Sequence, residues 1–342
     1  MSDESAPALS AVVEKSRAQA AIGSLRAEGV YDDTRSVFEA GGETVAVPVT
    51  EAPDETTVID VIQRAGEPRL QTLDDHLRER GWTADERARA PGSWAVIGSV
   101  ILTTLDGVAR PEEVGEALLA MHGQADTVVD RGGIDGEHRN PDVTVVAGEG
   151  DTETVHREHG TEYALDLAEV MFSPGNKAER ARMGTVVGDE GERVLDMFAG
   201  IGYFTLPMAR NGASVTAIER NPVAFQYLLE NTMRNGVSDR VEPYRADNRD
   251  VLKRYDGTRF DRVVMGYYEA HEYLDVALPA VQLGGRLHMH EATPEALVPD
   301  RPIDRLNAAA ENAGRTATVE DVREIKGYSE GVAHVVVDAR IE

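Results

Sequence analysis

The feature that most constrains the fold is a short glycine-rich turn that follows an apolar run near the middle of the chain. Residues Val194 to Phe204 read VLDMFAGIGYF, and the next apolar run, Ala213 to Ile218, ends at the acid Glu219. Glycines lack a Cβ, so the backbone N–H groups of such a turn can approach a ligand closely. An acid at the end of the following strand can accept both hydroxyls of a ribose. The pattern therefore predicts a nucleoside-containing cofactor.

The residues that this turn lacks narrow the choice of cofactor. A dinucleotide fingerprint would continue Gly200-x-Gly202 with a third glycine where the chain has Thr205, and Tyr203 and Phe204 would crowd a pyrophosphate. No Gly-Lys-Ser/Thr follows, so a phosphate-binding Walker loop is excluded. S-adenosylmethionine is the cofactor that fits best. The alternative is an ordinary strand-turn-helix without a ligand, because short glycine motifs also occur by chance.

The chain is strongly acidic. It has 61 acidic and 35 basic residues, a formal net charge of −26 and only four lysines. This composition resembles that of proteins from a very salty, halophilic cytoplasm, and no long run of like charge indicates an acidic tail. Such a charge normally disfavours nucleic acid. Molar salt shortens the Debye length to about 3 Å, however, so RNA remains a possible partner.

The composition also excludes several kinds of chemistry. The chain has no cysteine, which removes disulfides, thiolate zinc sites and iron–sulfur clusters, and leaves polar rather than radical chemistry for the cofactor. Neither an apolar N-terminal targeting stretch nor a run of about 18 apolar residues is present. We therefore expect a cytoplasmic protein with no membrane partner.

Three regions are expected along the chain. Residues 1–57 form an N-terminal domain with a helix over 11–28, a strand over 45–49 and a linker over 50–57. Residues 58–170 form a middle α+β domain with helices near 70–80 and 111–121 and a strand within 94–105. Residues 171–342 alternate strands and helices, which predicts a doubly wound α/β sheet like that of class I S-adenosylmethionine-dependent methyltransferases. Asn221-Pro222 is typical of a helix start.

Four motifs occur in an order that resembles one family, the tRNA methyltransferases and aminocarboxypropyltransferases that act at position 37 of tRNA. The similarity covers roughly residues 90–342. The motifs are Val170-Met171-Phe172-Ser173-Pro174-Gly175-Asn176-Lys177 with Glu179-Arg180, VLDMFAGIGYF, Glu219-Arg220-Asn221-Pro222 and Asp247-Asn248-Arg249-Asp250.

Two reactions compete within this family. The guanosine N1-methyltransferases carry an Asn-Leu-Pro-type motif after the fourth strand, where this chain has Met265-Gly266-Tyr267-Tyr268. The branch that looks most similar is the archaeal wybutosine-pathway enzyme, which transfers the 3-amino-3-carboxypropyl group of S-adenosylmethionine to 4-demethylwyosine in tRNA(Phe). A sulfonium has three electrophilic carbons, so positioning decides which group is transferred. The guanosine-37 N1-methyltransferase is the alternative, and a non-catalytic RNA-binding module is a third hypothesis.

The resemblance implies roles for seven residues. Ser173 and Arg180 would hold the methionine end of the cofactor and Glu219 its ribose, while Asp196 would order the glycine turn. The adenine would contact Asp247 and Asn248, and Glu179 matches the proton acceptor of the methyltransferase relatives.

Five of these roles have a plain structural alternative. Arg180 and Glu179 are also explained as charges on a helix surface, and Ser173, Asp247 and Asn248 as turn residues.

Two further pairs of residues have both a functional and a structural interpretation. His288 and His290 alternate onto one strand face and suggest a metal, but no third ligand is apparent, so ordinary strand histidines are preferred and no metal is expected. Tyr267 and Tyr268 either stack on a tricyclic base or pack in the core.

Overall fold

The computed structural model describes residues 8–135, 140–188, 191–253 and 259–342. Its contacts divide the chain into two units, Met1–Ala90 and Pro91–Glu342. This boundary differs from the expected one at residue 57, because a strand over 60–62 pairs with the first strand of the chain. No helix in the described parts of the chain is both long and apolar enough to cross a bilayer.

The elements of the first unit are β1 (Leu9–Glu14), α1 (Ala18–Glu28), β2 (Phe38–Gly41), β3 (Thr44–Val49), β4 (Asp60–Ile62), α2 (Leu73–Glu79) and α3 (Ala84–Arg87). The four strands form an antiparallel sheet in the order β2-β3-β1-β4. Side chains of β1 and β3 pack against α1, whose Leu25 is fully buried.

The expected helix over 11–28 was wrong in its first turns. Residues Leu9–Glu14 form β1, which lies between β3 and β4 and buries four consecutive residues, Ser10 to Val13. A central strand buried on both faces has no polar alternation, so its apolar run is hard to distinguish from a helix by periodicity.

The second unit begins with the elements β5 (Ala95–Ile97), β6 (Val100–Thr103), α4 (Pro111–Met121), β7 (Thr127–Asp135), β8 (Asn140–Gly148), β9 (Glu153–Glu158) and β10 (Thr161–Asp166). The first four strands form a mixed sheet in the order β5-β6-β7-β8, in which α4 connects the parallel strands β6 and β7. The single strand expected within 94–105 is a hairpin of two strands, β5 and β6. A second antiparallel hairpin, β9 with β10, follows.

A seven-stranded sheet follows, in the order β13-β12-β11-β14-β15-β17-β16. Only β17 runs antiparallel to its neighbours β15 and β16, and the expected doubly wound α/β sheet is confirmed. The elements are α5 (Lys177–Val186), β11 (Arg193–Asp196), α6 (Thr205–Arg210), β12 (Ser214–Glu219), α7 (Pro222–Arg234), β13 (Val241–Arg245), α8 (Asn248–Leu252), β14 (Phe260–Met265), α9 (Leu274–Ala280), β15 (Val281–Pro294), α10 (Asp300–Asn312), β16 (Ala317–Ser329) and β17 (Val332–Ile341).

Both faces of this sheet are covered. Successive residues of β11 point to opposite faces, and Val194 and Leu195 accordingly lie in two different hydrophobic clusters. The Val194 cluster also contains Tyr163 of the β9–β10 hairpin and Val100 of β6. Residues on either side of the expected boundary at 170 therefore share one core.

Candidate functional site

A cavity of about 300 Å³ lies at the carboxyl ends of the parallel strands of the large sheet. Its wall includes the turns that follow β11, β12 and β14, where open α/β sheets bind ligands. Three of the predicted site residues line it, namely Ser173, Arg180 and Glu219. The structure thus brings together residues that are 46 positions apart in the sequence, from Ser173 to Glu219.

The glycine turn is held in place by both neighbouring strands. The N–H of Met197 donates to the carbonyl of Val264 and that of Ala199 donates to Ile218, each at 3.0 Å. Gly202 has a φ of +103°, and a Cβ there would lie 2.7 Å from Cγ of Leu206. Only glycine fits this position, because the left-handed backbone and the close side chain both exclude a Cβ.

The Asp196 side chain is hydrogen-bonded to both ends of this turn. Its carboxylate is fully buried and accepts hydrogen bonds from the Thr205 hydroxyl at 2.7 Å and the Phe198 N–H at 3.3 Å. Burial raises the pKa of Asp196 to about 6, although these two hydrogen bonds oppose the shift. Asp196 does not line the cavity itself.

Glu219 ends β12 and presents its carboxylate to the cavity. One oxygen accepts from the Gly200 N–H at 2.8 Å and the other from the Asn221 N–H at 2.6 Å. Burial raises the pKa of Glu219. The two oxygens together carry about four lone pairs, more than the backbone N–H groups of Gly200, Arg220 and Asn221 use, so acceptor capacity remains for a ligand hydroxyl. Asn221 also caps α7 through hydrogen bonds from two backbone N–H groups, which confirms the expected helix start.

Arg180 and Ser173 lie at another part of the wall. Arg180 donates to both oxygens of Glu158 and to the backbone carbonyl of Ser173. Of the five guanidinium N–H donors, two remain for a ligand. The Ser173 hydroxyl accepts from the ammonium of Lys326. A surface position for Arg180 is thereby ruled out, because this side chain is buried.

Asp247 and Asn248 follow β13 but do not line the cavity. The Asp247 side chain caps α8 by accepting from the Arg249 N–H at 2.8 Å, and it lies 3.8 Å from the Arg220 guanidinium. Asn248 is 6% exposed, and its Oδ1 has no hydrogen-bond partner among the described residues. That buried acceptor is the feature of the pair that fits an adenine amino group.

Glu179 takes part in a partly buried ion cluster and does not line the cavity. Its Oε1 accepts from Arg182 and Arg323, each at 3.1 Å, and Arg323 also binds Asp338 of β17. Glu179 is 3% exposed, so it is not a surface charge either. The cluster fixes α5, which carries Arg180, to the antiparallel edge of the sheet.

The two histidines of β15 have separate partners. His288 is hydrogen-bonded to Asp338 and Arg262, whereas His290 contacts His334 and lines the cavity. Among the residues that the structure describes, no group of three or more His, Asp or Glu side chains is arranged to hold a metal ion.

Both tyrosines after β14 line the cavity. Tyr267 stacks on Phe198 with ring centroids 5.0 Å apart, and Tyr268 meets Tyr328 and His334 edge-on, each at 4.7 Å. Glu158 and Lys326, which contact Arg180 and Ser173 from outside the cavity wall, were not predicted from the sequence, and His334, which lines the cavity, was given no role there. Their positions depend on the hairpin and on the register of the last two strands.

Comparisons with known proteins place this geometry in a family. Residues 154–319 match the TRM5/TYW2 methyltransferase domain, and residues 73–152 match the TYW2 N-terminal domain. A Methanocaldococcus jannaschii protein named tRNA(Phe) (4-demethylwyosine(37)-C(7)) aminocarboxypropyltransferase is 45% identical over 212 residues, which are 61% of this chain and 83% of the relative. The Pyrococcus horikoshii protein of the same name is 40% identical over 256 residues, 73% of this chain and 90% of the relative.

Solved structures agree. TYW2 of P. horikoshii in complex with MeSAdo superposes with a TM-score of 0.67 at 35% identity, covering 78% of this chain and 96% of that one. Trm5b of Pyrococcus abyssi superposes with a TM-score of 0.73 at 29% identity, covering 98% of this chain and 99% of that one. The resemblance and the methyltransferase-like fold expected from the sequence are confirmed. The chain belongs to the TRM5/TYW2 family.

Proposed function

We propose that this protein transfers the 3-amino-3-carboxypropyl group of S-adenosylmethionine to carbon 7 of 4-demethylwyosine at position 37 of tRNA(Phe). The observation that carries the proposal is that relatives with 45% and 40% identity both bear the name of this activity. The matched regions include the glycine turn, Glu219 and Arg180, which lie within the matched methyltransferase domain.

The cavity residues fit the donor. Glu219 retains acceptor capacity for the ribose, and Arg180 and Ser173 stand where a carboxylate or amine of the methionine end would be held. Outside the cavity wall, the buried Oδ1 of Asn248 is the acceptor proposed for the adenine amino group, and Asp247 caps the start of the helix that carries it. Asp196 acts indirectly, by holding the glycine turn.

The donor supplies a sulfonium whose carbons are electrophilic. The orientation in which the protein binds the donor determines which of these carbons faces the tRNA base. Positioning is the contribution that bound geometry makes to such a transfer. No proton-accepting role is proposed for Glu179, because its carboxylate is paired with two arginines outside the cavity wall.

The N1-methyltransferase alternative is not favoured. Gly266 stands where that branch carries an Asn-Leu-Pro-type motif, and a Cβ at Gly266 would lie 2.7 Å from the Phe204 ring. A larger residue could be accommodated only if that ring moved. In sequence comparison the relatives named aminocarboxypropyltransferase are 45% and 40% identical to this chain, whereas the Trm5b of P. abyssi is 34% identical over 257 residues.

The by-product of the reaction tests the proposal. The protein is incubated with labelled S-adenosylmethionine and tRNA(Phe) that carries 4-demethylwyosine, and the nucleoside products are separated. Methylthioadenosine is expected. S-adenosylhomocysteine would indicate methyl transfer, and no turnover would indicate an RNA-binding module that retains a cofactor fold.

We also propose a cellular location for the protein. The proposed tRNA substrate supports a location in the cytoplasm, and the net charge of −26 with four lysines supports a halophilic cytoplasm. The salt dependence of tRNA binding, considered below, tests the second point.

A further inference from the structure

Two histidines from adjacent antiparallel strands form a hydrogen-bonded pair in the cavity wall. His290 of β15 and His334 of β17 are 2% and 1% exposed, and Nδ1 of His290 lies 3.0 Å from Nε2 of His334. Both residues line the cavity. Each ring uses one nitrogen for the shared hydrogen bond, which leaves the second nitrogen of each ring for another partner.

These second nitrogens are buried without a partner. Nε2 of His290 and Nδ1 of His334 make no hydrogen bond with any described residue. A buried polar atom without a partner costs about 1–3 kcal/mol. Because both residues line the cavity, a ligand bound there is the partner that we infer for these atoms.

The shared hydrogen bond determines what the pair offers. If His290 donates from Nδ1, its Nε2 holds a lone pair and His334 carries a proton on Nδ1; if His334 donates, the two roles are exchanged. In either tautomer the neutral pair presents one lone pair and one N–H. The hydrogen bond also lets a proton accepted by one ring pass to the other.

Both rings are neutral near pH 7. Burial lowers the pKa of His334 to about 4, and the positive charge of Lys326 adds to this effect. Burial also lowers the pKa of His290 well below its ordinary value of 6.5, with a smaller contribution from His334. A neutral imidazole can accept a proton during the reaction.

Other cavity residues are less suited to this task. Glu219 is the one carboxylate among the described residues of the cavity wall, and both of its oxygens already accept from backbone N–H groups. Its expected position at the ribose also separates it from the methionine end of the donor.

We propose that the His290–His334 pair accepts the proton that carbon 7 of the tricyclic base loses during transfer. This inference rests on the proposed function. Carbon 7 forms a bond to the methylene carbon beside sulfur, and the C–S bond breaks with its electron pair staying on sulfur. The C–H bond of carbon 7 then returns its electrons to the ring while its proton passes to the imidazole lone pair. The positive charge of the sulfonium thus ends on the imidazole.

The test replaces both imidazoles while keeping the contact between them. In the double variant His290→Asn with His334→Gln, the amides occupy the places of the two bonded nitrogens and can still hydrogen-bond to each other, but neither is a base. His159→Asn is the matched control, because His159 is exposed and has a φ of +47°, a conformation that asparagine tolerates. Each protein is assayed for S-adenosylmethionine affinity, methylthioadenosine release and the effect of deuterium at carbon 7.

The double variant is expected to bind the donor like the wild type and to release methylthioadenosine at least about 100-fold more slowly. Deuterium at carbon 7 should slow the variant further, because proton loss becomes limiting, and should affect the wild type less. The single variants, which keep one imidazole, should fall between the two and serve if the double variant does not fold.

Other outcomes would overturn the inference. Unchanged turnover, or slower turnover without a larger deuterium effect, would show that the pair is structural. Release of S-adenosylhomocysteine by the wild type would reject the proposed function itself, which is distinguishable because it does not depend on any variant.

Discussion

Arg180 donates to both oxygens of the Glu158 carboxylate, from Nε at 2.7 Å and from Nη2 at 2.9 Å, and both side chains are 3% exposed. The pair joins α5 to the β9–β10 hairpin and aims the guanidinium at the cavity, where Arg180 also lies 4.6 Å from the Phe172 ring centroid. A bidentate pair fixes the plane of the guanidinium as well as its position. The hairpin therefore orients a cavity residue, Arg180, although no described residue of the hairpin lines the cavity.

Glu158→Gln is expected to destabilise the protein by about 3–5 kcal/mol, because it leaves the buried Arg180 charge without its counterion. The donor affinity should fall as well, since Arg180 loses its fixed orientation. Denaturant unfolding and calorimetry measure the two effects. The matched control is Glu162→Gln on the same hairpin, where the pair with the exposed Arg157 is solvated and should contribute less than about 1 kcal/mol. Equal losses for the two variants would contradict this account.

The same carboxylate predicts a pH dependence of stability. Burial raises the pKa of Glu158, but hydrogen bonds and charge from His156 and Arg180 outweigh it and lower the pKa from 4.5 to about 2. A carboxyl whose pKa is lower in the folded state stabilises the protein above its unfolded pKa, and this contribution is lost as the pH falls towards the folded value. The difference in unfolding free energy between wild type and Glu158→Gln should therefore shrink between about pH 4.5 and pH 2. A constant difference across that range would argue against the assigned shift.

Glu219→Gln tests the proposed ribose contact. An amide has one acceptor oxygen, so one of the two backbone N–H donors, of Gly200 or Asn221, loses its partner and the ribose loses a charged acceptor. Hydrogen bonds to charged groups contribute about 1.5–3 kcal/mol, which corresponds to a loss of donor affinity of about 10- to 150-fold. Glu230→Gln, on the accessible face of α7, is the control and should bind normally. Undiminished binding by Glu219→Gln would remove Glu219 from the cofactor site.

Gly202→Ala tests the close packing of the glycine turn. The new Cβ would meet Leu206 at 2.7 Å in a backbone with a φ of +103°. The variant should lose several degrees of melting temperature and most of its donor affinity. Gly236→Ala separates strain from crowding, because Gly236 has a φ of +65° but no atom within 4 Å of the added Cβ. That control should cost about 1–2 kcal/mol of stability and leave binding intact.

The sequence predicted the large sheet well, because its strands and helices have local signals. VLDMFAGIGYF, the acid at the end of β12 and the Asn221 cap each depend on neighbouring residues only. These signals also placed Asp196 and Glu219 beside the glycine turn, where each carboxylate accepts a hydrogen bond from a backbone N–H of the turn. The strand over residues 9–14 was harder to predict, since a strand buried on both faces has no alternation of polar and apolar residues to distinguish it from a helix.

Long-range contacts account for what the sequence did not reveal. Ala292, rather than His290, is paired with His334 in the register of β15 and β17, so the two histidines meet as diagonal neighbours. A one-residue shift in that register would separate them. Glu158 likewise reaches Arg180 only because the hairpin folds onto α5. No local pattern encodes either contact.

The acidic composition leads to a prediction for tRNA binding in salt. A protein that makes six to ten phosphate contacts loses about 10³–10⁵ in affinity between 50 and 200 mM salt. Here a net charge of −26 repels the tRNA at low salt, and raising the salt from about 0.1 to 1 M shortens the Debye length from about 10 to 3 Å. Screening of this repulsion should offset the loss of phosphate contacts. We therefore expect tRNA affinity to change less than about tenfold over that range, as measured by filter binding.

Donor affinity measured in the same buffers is the control for effects of salt on the fold. A steep fall in tRNA affinity with constant donor affinity would mean that local arginine contacts to phosphate, rather than the overall charge, govern how this protein binds RNA.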